Sequence, residues 1–219
     1  MWNSQVIIML LEGIRDTLYM TLASTLFGYI IGLPMGIVLT VTDKGGIRPN
    51  AAVYKVLDVI SNLLRSIPFI ILLIVLIPFT RFVVGRSYGS TATIVPLTIA
   101  AAPYIARMVE SSLKEVDAGV IEAARSMGAS DFQIVTKVML VEARTSLIVG
   151  ATISLGTILG YSAMAGTVGG GGLGDIAIRY GYTRWQTDIM VVTVVLLVIL
   201  FQIFQTIGMK IANRLDRRK

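Results

Sequence analysis

The chain has no cysteine and no histidine. Without cysteine there are no disulfides and no thiolate chemistry. Without histidine, the commonest general base and transition-metal ligand is missing. Charge is also scarce: Asp, Glu, Lys and Arg make up 15% of the residues, against roughly 25% in soluble domains. No acidic residue lies deep in any long apolar run, which argues against an intramembrane proton relay. No Gly-x-x-x-x-Gly-Lys-Ser/Thr motif occurs, so the chain is not expected to hydrolyse ATP itself. No Lys or Arg precedes the first apolar run, Val6 to Leu11, so a cleaved signal peptide is not expected. No catalytic residue and no metal site is expected.

The chain is 55% hydrophobic, above the roughly 45–50% of soluble proteins. Charge-free runs extend over Thr17–Thr42, Ser87–Ala106, Thr145–Gly174 and Ile189–Met209. Each meets or exceeds the ~20 residues needed to cross the hydrocarbon core. A further apolar stretch, 56–79, contains Arg65. These runs predict an all-α membrane protein with five transmembrane helices, at 17–42, 56–79, 87–106, 145–168 and 189–209. A glycine-rich loop is expected to follow the fourth, and residues 4–16 are read as an interfacial helix leading into the first.

The formal net charge of +6 does not point to nucleic acid. The positives flank apolar spans and form no stripe with interleaved aromatics. Lys44, Arg48, Lys55, Arg107, Lys114, Arg125, Lys137, Arg144 and the basic C-terminus fall on one side of a five-span topology. Arg15, Arg81, Arg86, Arg179 and Arg184 fall on the other. The positive-inside rule then places the N-terminus outside and the C-terminus in the cytoplasm. The predicted location is a bacterial cytoplasmic (inner) membrane, crossed several times.

Residues 110–144 interrupt the lipid-like pattern between spans three and four and face the cytoplasm. Asp117 is a candidate N-cap, Arg125 suits a last helical turn, and Gly128 suits the left-handed residue after it. Ser130-Asp131-Phe132-Gln133 matches a capping box. Val120, Ile121, Ala124 and Met127 recur at helical spacing. Two readings account for such a face: a loop lying on its own membrane domain, or a helix buried in a partner's groove.

Glu122-Ala123-Ala124 with Gly128, followed by Val138-Met139-Leu140, resembles the cytoplasmic loop signature of ABC importer permeases. The usual Leu-Pro ending is replaced by Leu140-Val141. Further stretches resemble the methionine importers of that class. They include Asp16 to Thr21, Gly32-Leu33-Pro34, Arg65 to Ile70, Ile94 to Thr98 and Tyr161 to Gly166, and the run from Gly169 to Asp175 continuing at Ile178 to Tyr182. The resemblance implies a homodimeric permease of five-span subunits, pairing with two ATPase subunits that bind ATP and Mg. It also implies a substrate-binding lipoprotein on the outer side. Residues 110–144 would form the coupling loop, with Val120, Ile121, Glu122, Ala123, Ala124, Arg125, Met127 and Gly128 docking into the ATPase. The alternatives are a permease for another amino acid or small polar nutrient, and an ion-gradient-driven secondary transporter. No inverted repeat supports the latter.

Gly28, Gly32 and Gly36 recur every four residues, a pattern of close helix packing within the subunit or across a dimer axis. Gly169 to Gly174 satisfies a dinucleotide-binding spacing, but no strand precedes it. The readings that remain are a flexible external loop where the chain packs tightly, or a loop at the external mouth near where a binding protein docks. Arg65 is the only basic residue well inside an expected span. It either snorkels to the cytoplasm or serves the transport path, and Asp58 lies two turns earlier on the same helical face. Tyr161, Ser162 and Met164 lie late in span four. They pack the core or line a gate, where a polarizable thioether side chain suits a thioether substrate.

Overall fold

The computed structural model describes residues 4–215, and every regular element among them is helical. Helix α1, Ser4–Thr42, is uninterrupted for 39 residues and passes through Pro34; at 1.5 Å per residue it is about 58 Å long. Residues 4–16 are therefore the opening turns of α1 and lead without a break into the first expected span. No proline falls in that stretch to end the helical pattern. Proline inside α1 is tolerated because membrane helices re-satisfy the freed backbone groups with nearby hydroxyls and neighbours.

The stretch expected as a single second span is broken. Helix α2, Ala51–Ser66, ends before Pro68, which is extended (φ −55°, ψ 132°) and starts α3, Phe69–Val75. The pyrrolidine ring disfavours helical backbone at the preceding residue, so Ile67–Pro68 stops one helix and starts the next. The two pass the length and hydropathy test for a membrane span only when taken together. Helix α4, Ile77–Val84, follows and closes on Gly85.

Among the described residues, four helical segments are each long and apolar enough to cross a membrane: α1, α5 (Ser90–Lys114), α9 with its 3₁₀ extension (Arg144–Val168) and α11 (Thr187–Leu215). Between α5 and α9 lie α6 (Ala118–Ser126), α7 (Asp131–Gln133), a π-helical stretch (Ile134–Met139) and α8 (Leu140–Glu142). Between α9 and α11 come α10 (Gly172–Ile176) and a second π-helical stretch (Ala177–Tyr182). The apolar window of α11 is only 11% buried. A helix that is apolar yet so little covered by protein suits contact with lipid.

The chain divides into two compact units. The first comprises Met1–Phe27, Ile67–Ala101 and Leu155–Gln205. Its core joins Met20, Phe69, Leu73, Leu97 and Ala165, and a second cluster joins Leu10, Leu173, Ile176 and Ile189. The glycine-rich segment expected as a loop is folded tightly into this unit, with Gly172 opening α10. A side chain at Gly174 would put its Cβ 2.1 Å from the Ala163 carbonyl oxygen, so only glycine fits. The buried amide of Leu173 donates to Thr17 Oγ1 at 2.9 Å. Gly89 donates to the Gly169 carbonyl at 2.9 Å, and Thr93 Oγ1 donates to that of Gly170 at 3.3 Å.

The second unit comprises Gly28–Ser66, Ala102–Ser154 and Thr206–Lys219. Here α1 lies against α5 at two glycines of the repeat. A Cβ at Gly32 would meet the Ala102 carbonyl oxygen at 2.6 Å, and one at Gly36 would meet that of Ala106 at 2.5 Å. At these two positions the small-residue pattern serves packing within the subunit. In lipid there is no hydrophobic drive between helices, so such backbone proximity is itself a source of association.

Candidate functional site

The segment between α5 and α9 folds as its local chemistry dictates. Asp117 is extended and accepts the Gly119 amide at 2.7 Å, capping α6. The helix ends at Ser126, and Gly128 takes the left-handed conformation (φ 82°). The amide of Gly128 donates to the Arg125 carbonyl at 2.9 Å, and that of Ala129 donates to Ala124 at 3.1 Å. These bonds satisfy carbonyls that the helix end leaves free. The capping box forms in full: Ser130 N donates to Gln133 Oε1 at 2.9 Å, and Gln133 N to Ser130 Oγ at 3.3 Å.

The apolar face expected on α6 is divided. Ala124 is buried within the chain, and Ile121 is half-buried. Val120, Glu122, Ala123, Arg125, Met127 and Gly128 are exposed. Met127 is 82% exposed and Phe132, beyond the turn, 76%. Val120 also borders a cavity of about 420 Å³, lined by Val116, Asp117, Val141, Glu142 and Leu215 among others. The segment is thus anchored inward through Ala124 and offers bulky apolar side chains outward.

Beside it lies an ion cluster that the sequence reading did not identify. Arg107 Nη1 donates to Glu110 Oε2 at 2.7 Å. Its Nη2 pairs with the Asp58 carboxylate and donates to Asn62 Oδ1 at 3.2 Å. Lys114 Nζ lies 2.8 Å from Glu110 Oε1 and 2.7 Å from Asp43 Oδ2. Tyr54 donates its hydroxyl to Glu110 Oε1 at 3.2 Å and lies under the Lys114 ammonium. Glu110 is the hub, its side chain 6% exposed. The hydrogen bond from Lys114, helped by the Lys44 amide, holds the Asp43 carboxyl below its ordinary range. Arg107, Glu110 and Lys114 stand three and four residues apart on α5, a spacing readable in the sequence. Asp43 and Asp58 join from far along the chain and gave no such signal.

Two contacts connect this region to α6 and α7. Arg125 Nη2 donates to the Ile47 carbonyl at 2.9 Å, and Arg48 lies 3.4 Å from Asp131. Asp58, two turns before Arg65 on the same helical face, is taken by Arg107 and Asn62. Arg65 sits exposed in the last turn of α2, without an ion pair among the described residues.

The three gate candidates separate as well. Tyr161 stacks on Phe69, with ring centroids 4.5 Å apart and planes 4° apart. Ser162 is buried and donates to the Leu159 carbonyl at 2.7 Å. Only Met164 emerges, 47% exposed.

Residues 18–219 match the family model described as binding-protein-dependent transport system inner membrane component. The chain is 48% identical over 210 residues to the probable D-methionine transport system permease protein MetI of Vibrio cholerae, covering 96% of this chain and 93% of that one. It is 55% identical over 158 residues to the D-methionine transport system permease protein MetI of Escherichia coli, covering 72% and 73% respectively. Among solved structures, a chain of the MetNI methionine ABC transporter in inward-facing conformations is 50% identical. The TM-score is 0.97, over 99% of this chain and 100% of that one.

Proposed function

The chain belongs to the binding-protein-dependent transport system inner membrane component family, and from that membership we propose that it is the permease subunit of an ATP-driven methionine importer. The observation that carries this reading is the near-complete, 50% identical match to a methionine ABC transporter chain. Two copies form the transport path in a bacterial inner membrane. Two separate ATPase subunits bind ATP and Mg and perform the hydrolysis. A binding lipoprotein delivers substrate from the outer side.

The chain crosses the bilayer five times, with α2 and α3 together forming the second, broken span. The N-terminus is outside and the C-terminus cytoplasmic, as the Lys and Arg distribution favours. Residues 110–144 are the coupling loop. Val120, Glu122, Ala123, Arg125 and Met127 form its docking surface, Ile121 and Ala124 seat it on the permease, and Gly128 sets the turn that aims it. The exposed Met127 side chain beside a well-capped helix supports this, since helix-in-groove binding uses such apolar anchors. Met164 and Arg65 line the path, and Tyr161 and Ser162 brace the helix behind Met164.

The test is uptake of labelled methionine into proteoliposomes holding this chain, its ATPase, internal ATP and the binding lipoprotein. The expected result is uptake that requires ATP and is lost in Gly128→Val. Uptake without ATP that collapses with an ionophore would overturn the reading in favour of a secondary transporter. ATP-dependent uptake of a different amino acid, with none of methionine, would overturn the substrate.

A further inference from the structure

We propose that the ion cluster centred on Glu110 carries movement of α6 to α2, which makes Arg107 and Lys114 positioning residues for transport. The inference rests on the coupling role given to α6 above and adds to it a second route into the membrane. The first route is the chain itself, from Gly128 into α9. The second leaves α6 sideways, through side chains.

Its outer part is a grip. Arg125 holds the Ile47 carbonyl, and Asp131 holds Arg48, whose side chain is 83% exposed. Solvent-exposed contacts of this kind are individually weak and readily exchanged. Ile47 and Arg48 sit on the short connection between α1 and α2, which is folded tightly on itself. Arg48 N donates to the Val41 carbonyl at 3.0 Å and Asn50 N to that of Thr42 at 2.9 Å. The Asn50 side chain then caps α2, accepting from the amides of Ala52 at 3.2 Å and Val53 at 3.1 Å. The cap ties the connection to the first turn of α2, and the ion cluster is what holds the connection and the body of α2 to α5.

The inner part is the cluster. Asp43 at the start of the connection is tied to Lys114, Lys114 to Glu110, Glu110 to Arg107 and to Tyr54 of α2, and Arg107 to Asp58 and Asn62 of α2. Removing one partner from a buried ion pair leaves an uncompensated charge in a poorly solvating site. Glu110 and Arg107, whose side chains are 6% and 15% exposed, therefore stay paired and hold α5 to α2, while Lys114 and Asp43, 41% and 29% exposed, join the connection to them. The arrangement is a stiff interior with a weak outer grip, so coupling is made and released at Arg125 and Asp131.

The experiment uses the assembled transporter in proteoliposomes with its ATPase and binding lipoprotein. The chain has no cysteine, so a single Ser126→Cys on α6 or Val59→Cys on α2 takes a spin label at one place on this chain, labelled before assembly with its partners. Distances between the two copies are compared without nucleotide and with ATP trapped, alongside methionine imported per ATP hydrolysed. In the otherwise unaltered chain, both label positions shift. In Lys114→Met, position 126 still shifts, position 59 does not, and methionine per ATP falls roughly fivefold or more. Lys114→Arg restores both readouts. If Lys114→Met fails to assemble, Asp43→Asn serves in its place, since it leaves the Glu110 pairs with Lys114 and Arg107 intact. Either variant shifting at position 59 with unchanged methionine per ATP overturns the inference while the permease reading stands. Absence of ATP-dependent uptake in the unsubstituted complex overturns both.

Discussion

Gly36 and Ala106 are packed so closely that a single methyl group on Gly36 would lie 2.5 Å from the Ala106 carbonyl oxygen. The obstacle is backbone, which cannot swing aside as a side chain can. Gly36→Ala is therefore expected to force α1 and α5 apart and to cost about 1–3 kcal/mol, the range for overpacking. Thermal unfolding of the detergent-solubilised chain measures this. An unchanged midpoint would mean that α1 and α5 are not held at this distance.

Gly128 makes a different demand. Its surroundings are open, with no heavy atom within 4 Å of a built Cβ, but its φ is 82°. The cost of substitution is conformational, roughly 1–2 kcal/mol for an ordinary residue in the left-handed region. Gly128→Asn is expected to preserve co-purification with the ATPase, and Gly128→Val to reduce it. Equal recovery of the two complexes would show that the turn does not aim α6.

The Thr17 hydroxyl is the partner of a buried backbone amide, that of Leu173. Thr17→Val keeps the shape and removes the acceptor, leaving a buried donor unmet at a cost of about 1–3 kcal/mol. Thr17→Ser is expected to retain stability. Thermal unfolding of both variants checks the pair, and equal loss in both would assign the effect to packing.

Asp43 makes a pH-dependent contribution. Its carboxyl is held below the ordinary range by Lys114, so its bonds favour the charged form. The stability it adds is present above its unfolded value of about 3.9 and is lost as pH falls through the lower folded value. The unsubstituted chain is therefore expected to lose more stability than Asp43→Asn when acidified below about pH 4. Parallel losses in the two proteins would remove Asp43 from the acid response.

The local features were legible because their causes are local. The Asp117 cap, the left-handed Gly128 and the Ser130–Gln133 box each depend on residues within a few positions. The long helices were legible for the same reason, as each is written in an unbroken apolar run. One departure from the structure involved distant parts of the chain. Asp58 was matched with Arg65 on its own helix, whereas Arg107, 49 residues away, takes it. In the glycine-rich segment the lack of a side chain lets Gly174 press against Ala163. Pro68 is itself a local signal of a break, since proline disfavours helical backbone at the residue before it.

The bond from Leu173 to Thr17 joins residues 156 positions apart. A ribosome adding about 5–20 residues per second takes roughly 8–30 s to cover that distance. Thr17 is thus in place long before its partner has been made. During that interval its hydroxyl is satisfied only by water or by a carbonyl of its own helix. Its native contact therefore records the order of synthesis: a helix is completed by a segment made 156 residues later.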